Sequence, residues 1–330
     1  MFKVKKCNLF FLVVLACLGF NAQTFEVEQI EQLFRPRIKV DTKYIFDSKF
    51  KDTTSVFNQK EGNAVFTFPL KTKLSADVKL DLSSLKLKDI LRNSVRVKAS
   101  QTLGMLRFNT HQVNIGFDSL PLKNNYTVAA GILGATLTKK YRILFYSTNI
   151  AIAEQDKTIN KAVPRFSSLI GQLHIRGLKN NFFYGIAASY SDGLFLGAPF
   201  FGGSQPIGKK FVFNYTLPVQ VNLQYKSNRT LLTVGISADG YRTGINYTTK
   251  RVNVNYTSGL CYTSMRYKFT KTFVAKAEVG YMFYQNWRYT KTDFVRTNFT
   301  INNGIYAQVG FSILFGQTIW EKALDWIVKG

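Results

Sequence analysis

The chain is short of several things. After residue 22 no stretch approaches 18 consecutive apolar residues, so no transmembrane helix is encoded there. Acidic residues are scarce: 19 Asp and Glu stand against 44 Lys and Arg, a formal net charge of +25. There are two histidines, His111 and His174, and three cysteines. Cys7 and Cys17 fall in the N-terminal leader, which leaves Cys261 alone and excludes an intrachain disulfide despite export. No repeat of fixed period and no low-complexity linker divides the chain.

The leader is legible. Lys3, Lys5 and Lys6 precede an apolar run from Leu9 to Phe20, and the small-residue site Asn21-Ala22-Gln23 follows. This is the pattern of a secretory signal peptide over residues 1–22. Val14-Leu15-Ala16-Cys17 offers the rival reading of a lipoprotein signal, although apolar Leu18-Gly19-Phe20 then stands where a polar linker is usual. Removing the three lysines takes the net charge from +25 to +22. For an exported chain such a balance disfavours nucleic acid. It points to anionic lipid, to lipopolysaccharide phosphates or to an anion-attracting interior. Lys-rich loops that keep an apolar protein soluble in transit are the plain alternative.

What the chain has in abundance is period-two alternation. In 35–48, Ile38, Val40, Thr42, Tyr44 and Phe46 share one face, and Lys39, Asp41, Lys43 and Asp47 the other. Residues 62–74, 111–118, 182–191, 232–239, 273–283 and 305–315 repeat the pattern. The stretch FVFNYTLPVQVNLQY, 211–225, puts eight apolar or aromatic residues on its odd positions. It reads as one long strand with Pro218 at a bulge, or as two shorter pieces. Apolar outside and polar inside is the reverse of a soluble barrel and suits a bilayer. Only a closed barrel satisfies the backbone there without helices.

Connections alternate in length. Lys139-Lys140, Lys179-Asn180-Asn181, Lys226-Ser227-Asn228-Arg229 and Thr270-Lys271-Thr272 read as periplasmic turns. Residues 154–163, 193–209, 246–252 and 288–302 read as outer loops, the second because it is rich in Gly and Pro. The expected fold is all-β: a transmembrane antiparallel up-and-down barrel of about 12 strands, range 10 to 14. Its parts are a signal peptide over 1–22, a periplasmic segment over 23–34, the barrel over 35–316, and an amphipathic periplasmic tail with a short helix over 317–330.

Gln308-x-Gly310-x-x-Ile313-x-Phe315 looks like the terminal-strand signal by which Gram-negative barrels are handed to the barrel-assembly machinery. More broadly, residues 60–315 resemble an uncharacterised family of outer-membrane β-barrels, a domain of unknown function. Leu217-Pro218, the turn from Tyr225 to Arg229, and Gly235 through Asp239-Gly240-Tyr241-Arg242 carry that resemblance. It implies a barrel in the outer membrane, in contact with its lipid and lipopolysaccharide. It brings no catalytic residue.

Chemistry is hard to find. Neither histidine has a serine two residues on, the local pattern of barrel hydrolases that activate a serine nucleophile. Asp118, Asp239 and Glu278 are candidate inward carboxylates, and ion pairing with inward Lys and Arg is the simpler role. No metal cluster accompanies Cys261, and no cofactor, metal or catalytic residue is expected. The functional lead is charge on the inward faces: Lys39, Lys43, Lys79, Arg96, Lys98, Arg176 and Lys276 against Asp41, Asp47, Asp81 and Glu278. A basic lining favours anions. The expected function is therefore a passive channel for small, anionic solutes. A non-conducting structural or partner-binding barrel is the alternative, and a lipid-modifying enzyme the third.

Overall fold

The computed structural model describes residues 35–51, 54–78, 95–114, 124–139, 142–155, 163–176, 180–191, 194–247, 250–290 and 296–315. The signal peptide, the 23–34 segment, the C-terminal tail with its expected helix, and Lys79 and Asp81 lie outside these residues. Among the described residues every regular element is a strand: β1 Arg37–Lys49, β2 Val56–Val78, β3 Val95–Asn114, β4 Asn124–Lys139, β5 Arg142–Gln155, β6 Val163–Ile175, β7 Asn181–Ser191, β8 Leu194–Ile207, β9 Phe211–Leu217, β10 Gln220–Lys226, β11 Thr230–Tyr247, β12 Lys250–Lys268, β13 Phe273–Thr290, β14 Arg296–Ile301 and β15 Gly304–Leu314.

Each strand pairs antiparallel with its neighbours, and β1 pairs with β15 from Arg37↔Leu314 to Ile45↔Tyr306, which closes the barrel. β14 and β15 both pair with β13 and are two segments of one stave, interrupted at Asn302-Asn303. The barrel therefore has 14 staves, not 12. The first and last strands lie side by side, so both chain ends emerge at the end that carries the 140–141, 177–180, 227–229 and 269–272 connections.

The two staves missing from the expectation come from one region. Residues 193–209 do not form an outer loop. Leu194–Ile207 is a strand, paired with β7 and β9. Its glycines mark close approach rather than a turn: a Cβ on Gly202 would run into the Phe183 ring and the Tyr215 carbonyl. The turn is at Gly208, whose φ is +67°, the region that favours glycine. Nor is 211–225 one strand. It is the β9–β10 hairpin, with Tyr225 opposite Phe211 and Gln220 opposite Thr216. The Val219 N–H closes the turn on the Thr216 carbonyl at 2.7 Å. Pro218 is third in that turn, after a cis peptide bond, where its missing N–H costs the ladder nothing.

The outer face is apolar. Phe66, Val128, Ile150, Ile170, Ile186, Val234, Val279, Val309 and Phe311 are all exposed. Aromatics gather at the turn end, with Phe211 and Tyr225 at 5.3 Å and Tyr267 and Phe269 at 4.9 Å between ring centroids. An apolar band edged by aromatics around a closed antiparallel barrel is the construction of a Gram-negative outer-membrane protein, and the chain sits in that membrane.

Candidate functional site in the barrel interior

The interior is not empty. One cluster, Phe57, Val113, Tyr256, Trp287 and Ile301, with Tyr241 and Phe299 against it, fills the loop half beside β1–β3 and β11–β15. Phe57 stacks on Tyr256 at 5.6 Å, and Trp287 meets Phe57, Tyr256 and Tyr241 within 6.2 Å. A second cluster, Ala99, Ala135, Ile143, Leu173 and Phe183, fills the opposite side of the turn half. Between them β11 approaches β5 across the interior, with Cα atoms within 8 Å. Small inward side chains on both strands leave room for it: Ser147 and Ala151 on β5, Gly235 and Ser237 on β11.

Below the aromatic cluster lies a cavity of about 170 Å³. Register explains its lining. Paired neighbours run Gln224, Thr233, Ser264, Glu278, Gln308, Lys43, Glu61, His111 around the wall, each opposite the next. A single row perpendicular to the tilted strands thus puts eight polar side chains from eight staves on one inner track that climbs from Gln224 near the turn end to His111 near the loop end, and all of them line the cavity. No local segment of the sequence contains this row. It exists only once closure sets which strand meets which.

The charges inside are held by one another. Lys43 Nζ donates to Asp239 Oδ2 at 2.5 Å and stands 4.0 Å from Glu61 Oε1. Its ammonium also lies 5.0 Å from the centre of the Tyr306 ring. Lys39 Nζ is 3.3 Å from Asp41 Oδ2, and Lys276 Nζ is 3.0 Å from Glu278 Oε2. Amides join the pairs. Gln308 Nε2 donates to Asp41 Oδ1 at 2.7 Å, Gln308 Oε1 accepts from Lys276 at 3.2 Å, and Asn63 donates to Asp41 Oδ2 at 2.9 Å. Tyr306 donates to Glu278 Oε1 at 2.9 Å. Buried charge is tolerated on these terms, paired and hydrogen-bonded. His111 stacks on Tyr241 at 4.1 Å, and the Tyr241 hydroxyl donates to Gln59.

The sequence-named residues divide as follows. Lys39, Asp41, Lys43, Lys276 and Glu278 come together on the inner face. Arg96 and Lys98 lie on β3 opposite Asp77 and Ser75. Arg176 is exposed one residue past β6, in the turn, and is not a lumen residue. Asp47 also leaves the interior: a bulge between Ile45 and Ser48 shifts the register, and Asp47 is exposed, accepting from Asn58. Of the assembly signal, Gln308 and Gly310 take inward positions on β15. Phe315 is exposed just beyond it, its N–H on the Pro36 carbonyl. Glu61, Arg107 and Arg266 line the cavity and were missed: Glu61 and Arg107 precede the segments recognised at 62–74 and 111–118, and Arg266 lies on β12, where no segment was singled out. Cys261 is exposed on the outer face. Among the described residues no group of His, Cys, Asp and Glu could hold a metal ion.

No protein-family profile matches the chain and no curated protein is similar to it, so the narrower resemblance to one uncharacterised family finds no support there. Solved structures do resemble it. An outer-membrane channel from Pseudomonas putida F1 superposes at a TM-score of 0.43 with 8% identity, over 86% of this chain and 96% of that one. The Acinetobacter baumannii outer membrane protein Omp33 superposes at 0.32 with 10% identity, over 86% and 99%. The transport unit of the autotransporter AIDA-I from Escherichia coli gives 0.31 with 8% identity, over 93% and 99%. At such scores the likeness carries nothing about activity, which has to be read from the barrel's own interior.

Proposed function

We propose that the barrel is a restrictive conduit for small polar solutes across the outer membrane. The observation that carries this reading is the polar cavity inside the wall, which reaches from Gln224, Ser264 and Arg266 near the turn end up to His111 and Asp239. Above it Tyr241, Tyr256 and Trp287 pack into the apolar cluster. Larger barrels leave an aqueous channel, whereas here side chains occupy the loop half, so passage is selective by size.

Selectivity for anions is not part of the proposal. The cavity lining carries Lys43, Arg107, Arg266 and Lys276 against Asp41, Glu61, Asp239 and Glu278, a balanced set. The exposed positive charge lies elsewhere. Arg142, Arg176, Lys210, Lys226, Arg229, Lys268 and Lys271 sit at the turn end, level with the headgroups of the inner leaflet. A balanced lining suits neutral and zwitterionic solutes.

Single-channel recording of the refolded protein in a planar bilayer under a salt gradient tests this. Small, stable steps with a reversal potential near zero are expected. Large anion-selective steps would restore the basic-pore reading. Silence from a verified folded barrel would leave a closed, partner-binding barrel in its place.

A further inference from the structure

The staves of the wall are unequal. β9 and β10 have 7 residues each, whereas their neighbours β8 and β11 have 14 and 18. The hairpin therefore stops partway up. β8 pairs with β9 only from Phe201 to Ile207, and β11 pairs with β10 only from Leu231 to Ser237. The last link is the Ala238 N–H on the Val219 carbonyl at 2.8 Å. Beyond it, among the described residues, Leu194–Pro199 of β8 and Asp239–Tyr247 of β11 have no strand on their facing sides. The wall has a notch two strands wide, with the Thr216–Val219 turn as its floor.

Its rims are built as edges. Pro199 on β8 has no N–H for a further strand to use. On β11 the Gly240 N–H, two residues beyond that of Ala238 and so on the same side of the strand, is taken by Asp239 Oδ1 at 2.7 Å. A bare sheet edge is not viable in hydrocarbon unless it borders protein or a wet cavity. The cavity does reach the notch: Val219 and Ala238 line it, although Ala238 continues the outward series of Leu232, Val234 and Ile236.

We propose that the notch is a side portal through which the headgroup of a single-chain, zwitterionic amphiphile enters the cavity from the membrane. The lining decides the class: it is polar and charged, so it takes a headgroup and leaves an acyl chain outside. The chain stays outside, along Phe195 and Phe201 on the outer face of β8. The balanced charges of the lining match a head that carries both signs. The portal uses the same cavity as the conduit but does not require conduction along the barrel axis.

The test uses the full mature chain with Cys261→Ser, folded in phosphatidylcholine vesicles. A bimane fluorophore is placed at Ser237→Cys inside the cavity or at Val219→Cys on the notch floor. Leu173→Cys, inward on β6 in the second apolar cluster and away from the cavity, is the control. The probe is lysophosphatidylcholine with a nitroxide on its headgroup, run beside the same nitroxide head without a chain. Severalfold stronger quenching at 237 and 219 than at 173, by the lysolipid only, is expected. Ala198→Trp, on the free stretch of β8, should abolish the difference. Equal quenching at all three sites overturns the portal, as does equal quenching by the chainless head, which would mean entry along the axis. Quenching from a barrel that never conducts would sink the conduit and leave the portal standing. Conduction without quenching would do the reverse.

Discussion

Lys43 and Asp239 are 196 residues apart in the chain and 2.5 Å apart in the barrel. One carboxylate does two things there. Oδ2 accepts from the Lys43 ammonium, and Oδ1 accepts from the Gly240 N–H on the free edge of β11. The interior charges and the rim of the wall notch are thereby tied to one side chain.

That pair sets the first prediction. Its side chains are only 6% and 18% exposed, so removing one partner strands a buried charge. Lys43→Met should destabilise the barrel by about 3–5 kcal/mol. The double variant Lys43→Met/Asp239→Asn should lose less, because the asparagine oxygen still caps Gly240 and only Glu61, 4.0 Å from the Lys43 ammonium, is left without its cation. Urea titration in vesicles, followed by tryptophan fluorescence, reads both. Equal losses would mean the pair contributes nothing as a pair.

The aromatic cluster sets the second. Trp287 is fully buried between Phe57, Tyr256 and Tyr241. Trp287→Ala opens a cavity in the cluster above the polar cavity and should cost about 3–5 kcal/mol in stability. Unit conductance should rise, and more so with Tyr241→Ala added. A folded double variant with unchanged conductance would show that these rings do not set the constriction.

The hairpin can be checked chemically. Phe213 and Leu223 face each other across β9 and β10. In one continuous strand they would stand about 33 Å apart, at 3.3 Å per residue. Directly opposed residues have Cβ atoms about 4.5–5.5 Å apart, near disulfide reach. Phe213→Cys/Leu223→Cys in the Cys261→Ser background should oxidise to an intrachain bridge with copper phenanthroline. Failure to bridge in the folded protein would return 211–225 to a single strand.

Orientation makes the fourth prediction. Thr158 and Phe294 lie in the connections that follow β5 and β13, and Asn228 lies between β10 and β11 at the opposite end. Single cysteines at 158 and 294 should react with an impermeant maleimide on intact cells, and one at 228 should not. The reverse pattern would turn the barrel over.

The outward face was readable residue by residue. Val234, Ile236, Val279 and Val309 are apolar at every second position because lipid meets one side of each strand. The stave count was not readable, and 211–225 shows why. Its cross-strand partners sum to an even number, as in Thr216↔Gln220 and Phe213↔Leu223, so odd positions face outward before and after the turn. Alternation passes through Leu217-Pro218-Val219 unbroken, and a hairpin of two short strands carries the same pattern as one long strand. In 194–207 the reverse error arises. Glycines that admit the rings of neighbouring strands have the composition of a loop.

By itself, then, the sequence determined the solvent of each face, the absence of a membrane helix after residue 22, and the presence of charge inside. Those are local properties, set by alternation along one strand. Tertiary structure alone decided that Glu278, Gln308, Lys43, Glu61 and His111 form one continuous row, that Asp239 meets Lys43, and that the wall is notched above Val219. Each depends on cross-strand register and on how far each hairpin climbs. Hydrogen bonds between distant segments set both, and neither leaves a period in the chain.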